Sequence, residues 1–184
     1  MSSVDTQAHV RAASPFVDDL AEPEGTLHAA ALPSPLPHGR ITALRTESAA
    51  QSPGVVRVFT AEDVPGENQI GGIIQDEPLL ASDEVHFVGQ PVALVVAESP
   101  EAARAALDDI ELEIEELEPV FDPREAAAMG SLIAPARTLS LGDTEGAWER
   151  CATVVEGRVE SGGQEHVYLE TQSARAVPEQ RGRL

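Results

Sequence analysis

A chain of 184 residues fits one ordinary domain, or one domain and the start of another, and a compact fold of that size buries roughly 70% of its unfolded surface. Hydrophobic residues make up 42% of it but aromatic ones only 3%, so the core must rest on Ala, Val, Leu and Ile. The net charge is −20 and all twelve basic residues are arginine, a surface that repels phosphate backbones and anionic lipid headgroups and excludes nucleic-acid and membrane binding as functions. The acidity reads first as a device for solubility and second as a docking face for a basic partner.

Residues 1–14 are polar and unpatterned and are expected to be a disordered, fraying terminus with no apolar h-region of a secretory signal. Residues 25–32 read as a first strand, stopped by Pro33, Pro35 and Pro37. Residues 40–46 are a second strand, 47–51 one helical turn, and the β-branched run 55–59 a third strand. Thr60 then caps a short turn with Asp63 three residues on. Residues 65–78 are glycine-rich and irregular, a loop long enough to be functional or packed against something.

Residues 91–98 form the strongest strand, near-continuously apolar and so expected to be buried on both faces. Its core, 92–97, is the longest apolar run and far too short to span a bilayer, so a cytoplasmic location is expected. Ser99 offers an N-cap oxygen and Pro100 suits the first helical position. The helix through Asp109 puts Ala102, Ala103, Ala106, Leu107 and Ile110 on one stripe, small enough to lie close to a sheet.

Next, Ile110, Leu112 and Ile114 alternate inward with Glu111, Glu113 and Glu115 outward; Leu117 breaks the phase, and a bulge near Glu115–Glu116 would absorb it. The three carboxylates read as a solvated face rather than a hard-cation site. Pro119 and Pro123 bracket the exit, and a short helix over 124–129 ends at Gly130.

A linker over 131–143 carries Pro135, and 142–150 is a short helix that Trp148 is expected to pack down. Cys151 is the single cysteine, which excludes an internal disulfide and any four-cysteine zinc or iron–sulfur site held by this chain alone. It leads into an apolar run and is expected to be a buried structural thiol. Residues 153–160 and 168–177 read as strands, with Val154, Val155, Tyr168, Leu169 and Val177 exposed for want of sheet partners.

Between those strands lies the most unusual stretch, GGQEHVYLE from Gly162 to Glu170. Two glycines allow a tight turn or close approach, and Gln164 is a neutral amide that donates and accepts without titrating. The five histidines, His9, His28, His38, His86 and His166, show no metal-ligand spacing; His86 beside Phe87 reads as a strand-edge packing residue. Nucleophile arrangements and phosphate-binding glycine loops are not evident either, so spacing alone gives no complete active site.

A resemblance adds to these patterns. EGTLHAAALPSPLPHGRI, PGVVRVFTAEDVPGENQIGGIIQDEPLL and VHFVGQPVALVVAESPEAARAA, in that order, resemble the molybdenum-binding subunit of the xanthine dehydrogenase and aldehyde oxidase family. GGQEHVYLETQ is similar to the motif that opens that family's cofactor-binding part, with Val167 where phenylalanine is more usual, and points to the xanthine dehydrogenase branch more than to the carbon monoxide dehydrogenase branch. The resemblance runs from about Phe16 to Pro178.

It implies an α+β fold: an α/β hammerhead, a curled mixed sheet with packed helices, over 15–130, a linker over 131–143, and an incomplete start of the molybdopterin-binding domain over 144–184. It implies that Gln164, beside Gly163, hydrogen-bonds an oxygen of a molybdenum–pterin cofactor, with Glu165, His166, Tyr168 and Glu170 holding the loop. The family hydroxylates purines or aldehydes with oxygen from water, a purine-catabolic chemistry, and passes electrons to iron–sulfur clusters and FAD expected on a partner subunit. Its later cofactor, substrate-arginine and glutamate motifs would lie past Leu184. The chain is therefore expected to be a truncated, frameshifted or split product, inactive without the remaining part of the subunit. The alternative is a stand-alone acidic hammerhead that serves as an interaction scaffold.

Overall fold

In the computed structural model, which describes residues 4–166 and 172–178, the strands are β1 (His28–Pro33), β2 (Gly39–Arg45), β3 (Val55–Phe59), β4 (Glu84–Val85), β5 (Pro91–Ala97) and β6 (Glu111–Glu116). The helices are α1 (Val4–Val10), α2 (Glu47–Ala50), α3 (Pro100–Ala105), α4 (Pro123–Met129) and α5 (Thr144–Glu149). Residues Pro23–Leu132 form one unit; the described residues of Met1–Glu22 and Ile133–Leu184 form another.

In the first unit the strands make two three-stranded sheets, β1-β5-β3 and β4-β2-β6, antiparallel at every pairing among the described residues. The α+β hammerhead architecture is present, with its curled sheet divided in two. β5 is the central strand of the first sheet, and its alternation feeds two cores. Ala93 and Val95, fully buried on one face, join Ala49, Ala106 and Ile110. Val92, fully buried on the other, joins Ala81 and Val85 under Ile41, Leu112 and Ile114. Leu44 packs against both clusters. Burying each such valine contributes about 1.5–3 kcal/mol, so the strand with no polar alternation is the one that ties the unit together.

The Ser99 hydroxyl accepts the Ala102 N–H at 3.1 Å and Pro100 starts α3, as a capped helix requires. The α-helix stops at Ala105 and tightens into a 3-10 turn over Ala106–Asp109. Ala103 and Ala106 are buried, and their lack of bulk sets the close approach. Gly54, at φ +79°, would place a Cβ 3.2 Å from that of Ala102.

The bulge is not at Glu115–Glu116. The β2–β6 register shifts between Ile41 and Ala43, so Thr42 is the extra residue, and its hydroxyl donates to the Glu113 carbonyl at 3.2 Å. Leu117 lies past the strand end, its N–H donating to the His38 carbonyl at 3.1 Å, so β6 has no phase to repair. The outward carboxylates face arginines of β2: Arg45 reaches Glu111 at 3.1 Å and Glu113 at 2.7 Å, and Arg40 reaches Glu115 at 3.4 Å. Guanidinium groups occupy the face on which a hard cation would have needed free carboxylates.

The 65–78 loop folds on itself. Asn68 spans it, donating to the Leu80 carbonyl at 2.7 Å and accepting the Leu80 N–H at 3.0 Å. The Ile70 N–H donates to the Glu77 carbonyl at 2.8 Å, and the Gln69 amide oxygen accepts the Glu77 N–H at 2.9 Å. Ile70, Ile73 and Ile74 remain exposed. At the exit from β6, Asp122 caps α4, and Gly130 ends it at φ +76°.

The second unit differs most from expectation. Residues 4–10, unpatterned in sequence, form α1. Trp148 on α5 is 62% exposed and packs nothing down, and the described residues of its own unit form no strand that could receive a helix of six residues. Cys151 is exposed, its thiol lying 3.3 Å from the Ala147 carbonyl at the helix end. Residues 153–160 and 172–178 are not strands, since an isolated strand without a ladder partner gains nothing to offset its ordering. Val154, Val155 and Val177 are exposed, as expected; Tyr168 and Leu169 lie outside the described residues. Within this unit Ser173 donates to Asp18 at 2.9 Å and Arg175 to the Ala21 carbonyl at 3.0 Å.

Candidate functional site

Residues 161–166, which hold Gly163 and Gln164, have no regular secondary structure and are exposed. Neither Gly162 nor Gly163 has a positive φ, and a Cβ built on either meets nothing within 4 Å. Local conformation and crowding therefore give no reason for two glycines. Among the described residues the Gln164 amide has no hydrogen-bond partner, while the Glu165 carboxylate accepts the His166 N–H at 2.8 Å. The stretch thus presents bare backbone and a neutral amide, a donor set compatible with an oxygen ligand of a metal centre. Tyr168 and Glu170, expected to hold this loop, lie outside the described residues.

A second constellation forms where spacing showed none. His38 stands just ahead of β2, and β4 pairs with β2 so that Gly39 faces Val85. This brings His38 against Glu84 and His86. His38 Nε2 lies 2.7 Å from Glu84 Oε1, His86 Nδ1 lies 3.9 Å from the same oxygen, and the two imidazoles stack at 6.0 Å. On its other side His38 Nδ1 meets the Glu118 carbonyl at 2.9 Å. That carbonyl first, and the Glu84 carboxylate second, raise the pKa of His38 above the ordinary histidine value. His86 is therefore part of a polar cluster and not merely a packing residue. The signal available in sequence was Glu-Val-His at 84–86, whose alternation puts both polar groups on one side of a strand. His38 could be added only once the pairing of β2 with β4 was known.

Two antiparallel three-stranded sheets with helices packed on them define the class: an α/β hammerhead. The family described as aldehyde oxidase and xanthine dehydrogenase, a/b hammerhead domain, matches residues 11–118, and that of a molybdopterin cofactor-binding domain matches residues 128–184. The chain belongs to the aldehyde oxidase and xanthine dehydrogenase family. It is 39% identical, over 92% of its length, to aldehyde oxidase 2 of Cavia porcellus. It is 40% identical, over 84% of its length, to xanthine dehydrogenase 1 of Arabidopsis thaliana. The crystal structure of the aldehyde oxidoreductase from Desulfovibrio desulfuricans superposes with a TM-score of 0.63 at 31% identity over 70% of the chain. The chain spans 12% of the length of each of those two relatives and 16% of that crystallised chain. No helix among the described residues is long and apolar enough to cross a membrane.

Proposed function

We propose that this chain supplies the hammerhead domain and the opening cofactor segment of a molybdenum hydroxylase that oxidises a purine or an aldehyde in the cytoplasm. The observation that carries it is the succession of hammerhead and molybdopterin-domain matches along one chain, the second of them enclosing the glycine–glutamine stretch. Gln164 would donate its amide N–H to an oxygen on the metal, and Gly163 would leave the backbone bare for the cofactor's approach. The cofactor, when bound, supplies hydroxylation with oxygen from water. An amide suits this place because it stabilises an oxygen without adding charge, whereas a carboxylate would repel it. Electrons would pass to iron–sulfur clusters and FAD on a partner subunit, and the remaining part of the molybdenum subunit would bring the substrate pocket.

Exposed Val154, Val155 and Val159 support the same reading, since a segment that finds no sheet neighbour among the described residues fits one that pairs with further protein. The test is reconstitution of the chain with the remainder of such a subunit, followed by molybdenum analysis and turnover of xanthine and of an aldehyde. Gln164→Ala is expected to retain molybdenum and lower kcat by 10-fold or more, with Gln164→Glu at least as damaging. Undiminished turnover by Gln164→Ala would remove Gln164 from the site.

A stand-alone acidic scaffold is the second reading, favoured by the fact that Pro23–Leu132 holds both buried clusters within itself. Co-purification separates the two: a molybdopterin-bearing partner supports the enzyme, a partner without that cofactor the scaffold.

A further inference from the structure

We propose that His38, Glu84 and His86 form a binding site for a divalent cation of the zinc class at one end of the β4-β2-β6 sheet. The site stands apart from Gln164 and does not depend on the role given to that residue. Two imidazoles and a carboxylate are the donors that zinc takes, with water in the fourth position; hard cations such as magnesium prefer an all-oxygen set. Donor atoms of the three side chains lie within 4.8 Å of one another. A tetrahedral ion with bonds of about 2.0–2.2 Å needs its donors about 3.4 Å apart. The 2.7 Å pair must open and the 3.9 Å pair must close, each by less than about 1 Å, and the two imidazole nitrogens, within 4.8 Å of each other, must close by at most about 1.4 Å, which side-chain rotation of Glu84 and the exposed His86 provides.

The supporting contacts are already in place. A carbonyl oxygen only accepts, so the Glu118 contact puts a proton on His38 Nδ1 and turns Nε2 toward the site. The His86 backbone is held by its N–H, which donates to the Gln90 side-chain oxygen at 2.7 Å, and Gln90 is buried. Glu84 is fixed in register opposite Arg40. A His38–Glu84 pair alone would serve the fold. It gives no reason for His86, whose side chain is 57% exposed yet stacked on His38 beside the same carboxylate. An ion there would join the strand ends carrying His38 and Glu84 and, through the Glu118 carbonyl, the chain leaving β6.

The test uses the full 184-residue chain carrying Cys151→Ser, so that the exposed thiol cannot ligate. Calorimetric titration with Zn²⁺ is expected to show one tight equivalent, and Co²⁺ in its place a tetrahedral absorption band. His86→Ala, at an exposed position that leaves the fold intact by circular dichroism, is expected to weaken Zn²⁺ binding 10-fold or more and abolish the band. Glu84→Gln is expected to do the same, while His9→Ala leaves both unchanged. Tight Zn²⁺ binding that His86→Ala and Glu84→Gln alter less than twofold overturns the proposal. So does weak, multi-site binding alone, which is what a surface of charge −20 gives without a site.

Discussion

Gly39 of β2 lies directly against Ile114 of β6: a Cβ at position 39 would run into the Ile114 side chain and come 2.9 Å from the Glu115 carbonyl oxygen. The glycine is required here by proximity and not by its dihedral angles, because its φ is not positive. Gly39→Ala must therefore push β2 and β6 apart or displace Ile114 from the core it shares with Val85 and Val92. A cost of about 1–3 kcal/mol is expected, read as a lowered urea midpoint. Gly66→Ala, where a Cβ meets nothing within 4 Å, is the control and should change stability by less than about 1 kcal/mol. Equal midpoints for the two variants would refute the contact.

Asn68 closes the long loop with two hydrogen bonds to the backbone of Leu80. Its amide presents an N–H donor and an acceptor oxygen side by side, which is what the paired N–H and C=O of Leu80 call for. Asn68→Asp keeps the acceptor but sets a carboxylate oxygen against the Leu80 carbonyl, and Asn68→Ala removes both bonds. Each is expected to destabilise by about 1–3 kcal/mol and to speed hydrogen exchange at the Leu80 amide. Unaltered exchange at Leu80 in Asn68→Ala would show that the loop is held by other means.

The acid side of the stability profile should carry the mark of Asp63. The Thr60 N–H, at 2.9 Å, and then the Arg57 guanidinium, at 2.7 Å, depress its pKa below the ordinary carboxylate value. A depressed folded-state pKa contributes stability that is present above the unfolded-state value, about 3.9, and is lost as pH falls through the folded value. Asp63→Asn should therefore flatten the fall in unfolding temperature between about pH 5 and pH 2. Parallel profiles for the two proteins would count against this assignment.

Sequence patterns disclosed the central strands and helix because these are locally determined, whereas their arrangement as a hammerhead was implied by the family resemblance. Ser99-Pro100 caps a helix wherever it stands, and the run at Val92 has the composition of a strand buried on both faces. Tertiary partners were less legible. The bulge sits at Thr42 because two strands distant in sequence had to be brought into register, and nothing near Glu115 reports that. His38 and Glu84 are 46 positions apart and meet only through the β2–β4 pairing. The strands expected at 153–160 and, in the described part of 168–177, at 172–177 show the converse limit: alternation proposes a strand, but only a neighbour with free N–H and C=O groups makes one. Trp148 and Cys151, expected inside, lie exposed in that same partnerless region.

The two units should part company under protease. Residues 131–143 have no helix or strand, Arg137 within them is exposed, and both buried clusters lie in Pro23–Leu132. Backbone of that kind enters a protease cleft without unfolding anything else. Brief trypsin treatment is expected to cut first at Arg137 and at Arg150 and Arg158 beyond it, leaving a resistant core that ends near residue 137. Arg57 and Arg104, in the first unit, should be cut more slowly by at least tenfold, because reaching their peptide bonds requires opening β3 or the helix over β5. Mass spectrometry of the early fragments decides it. Equal rates at Arg104 and Arg137 would mean that the hammerhead draws its stability from the segments that follow it.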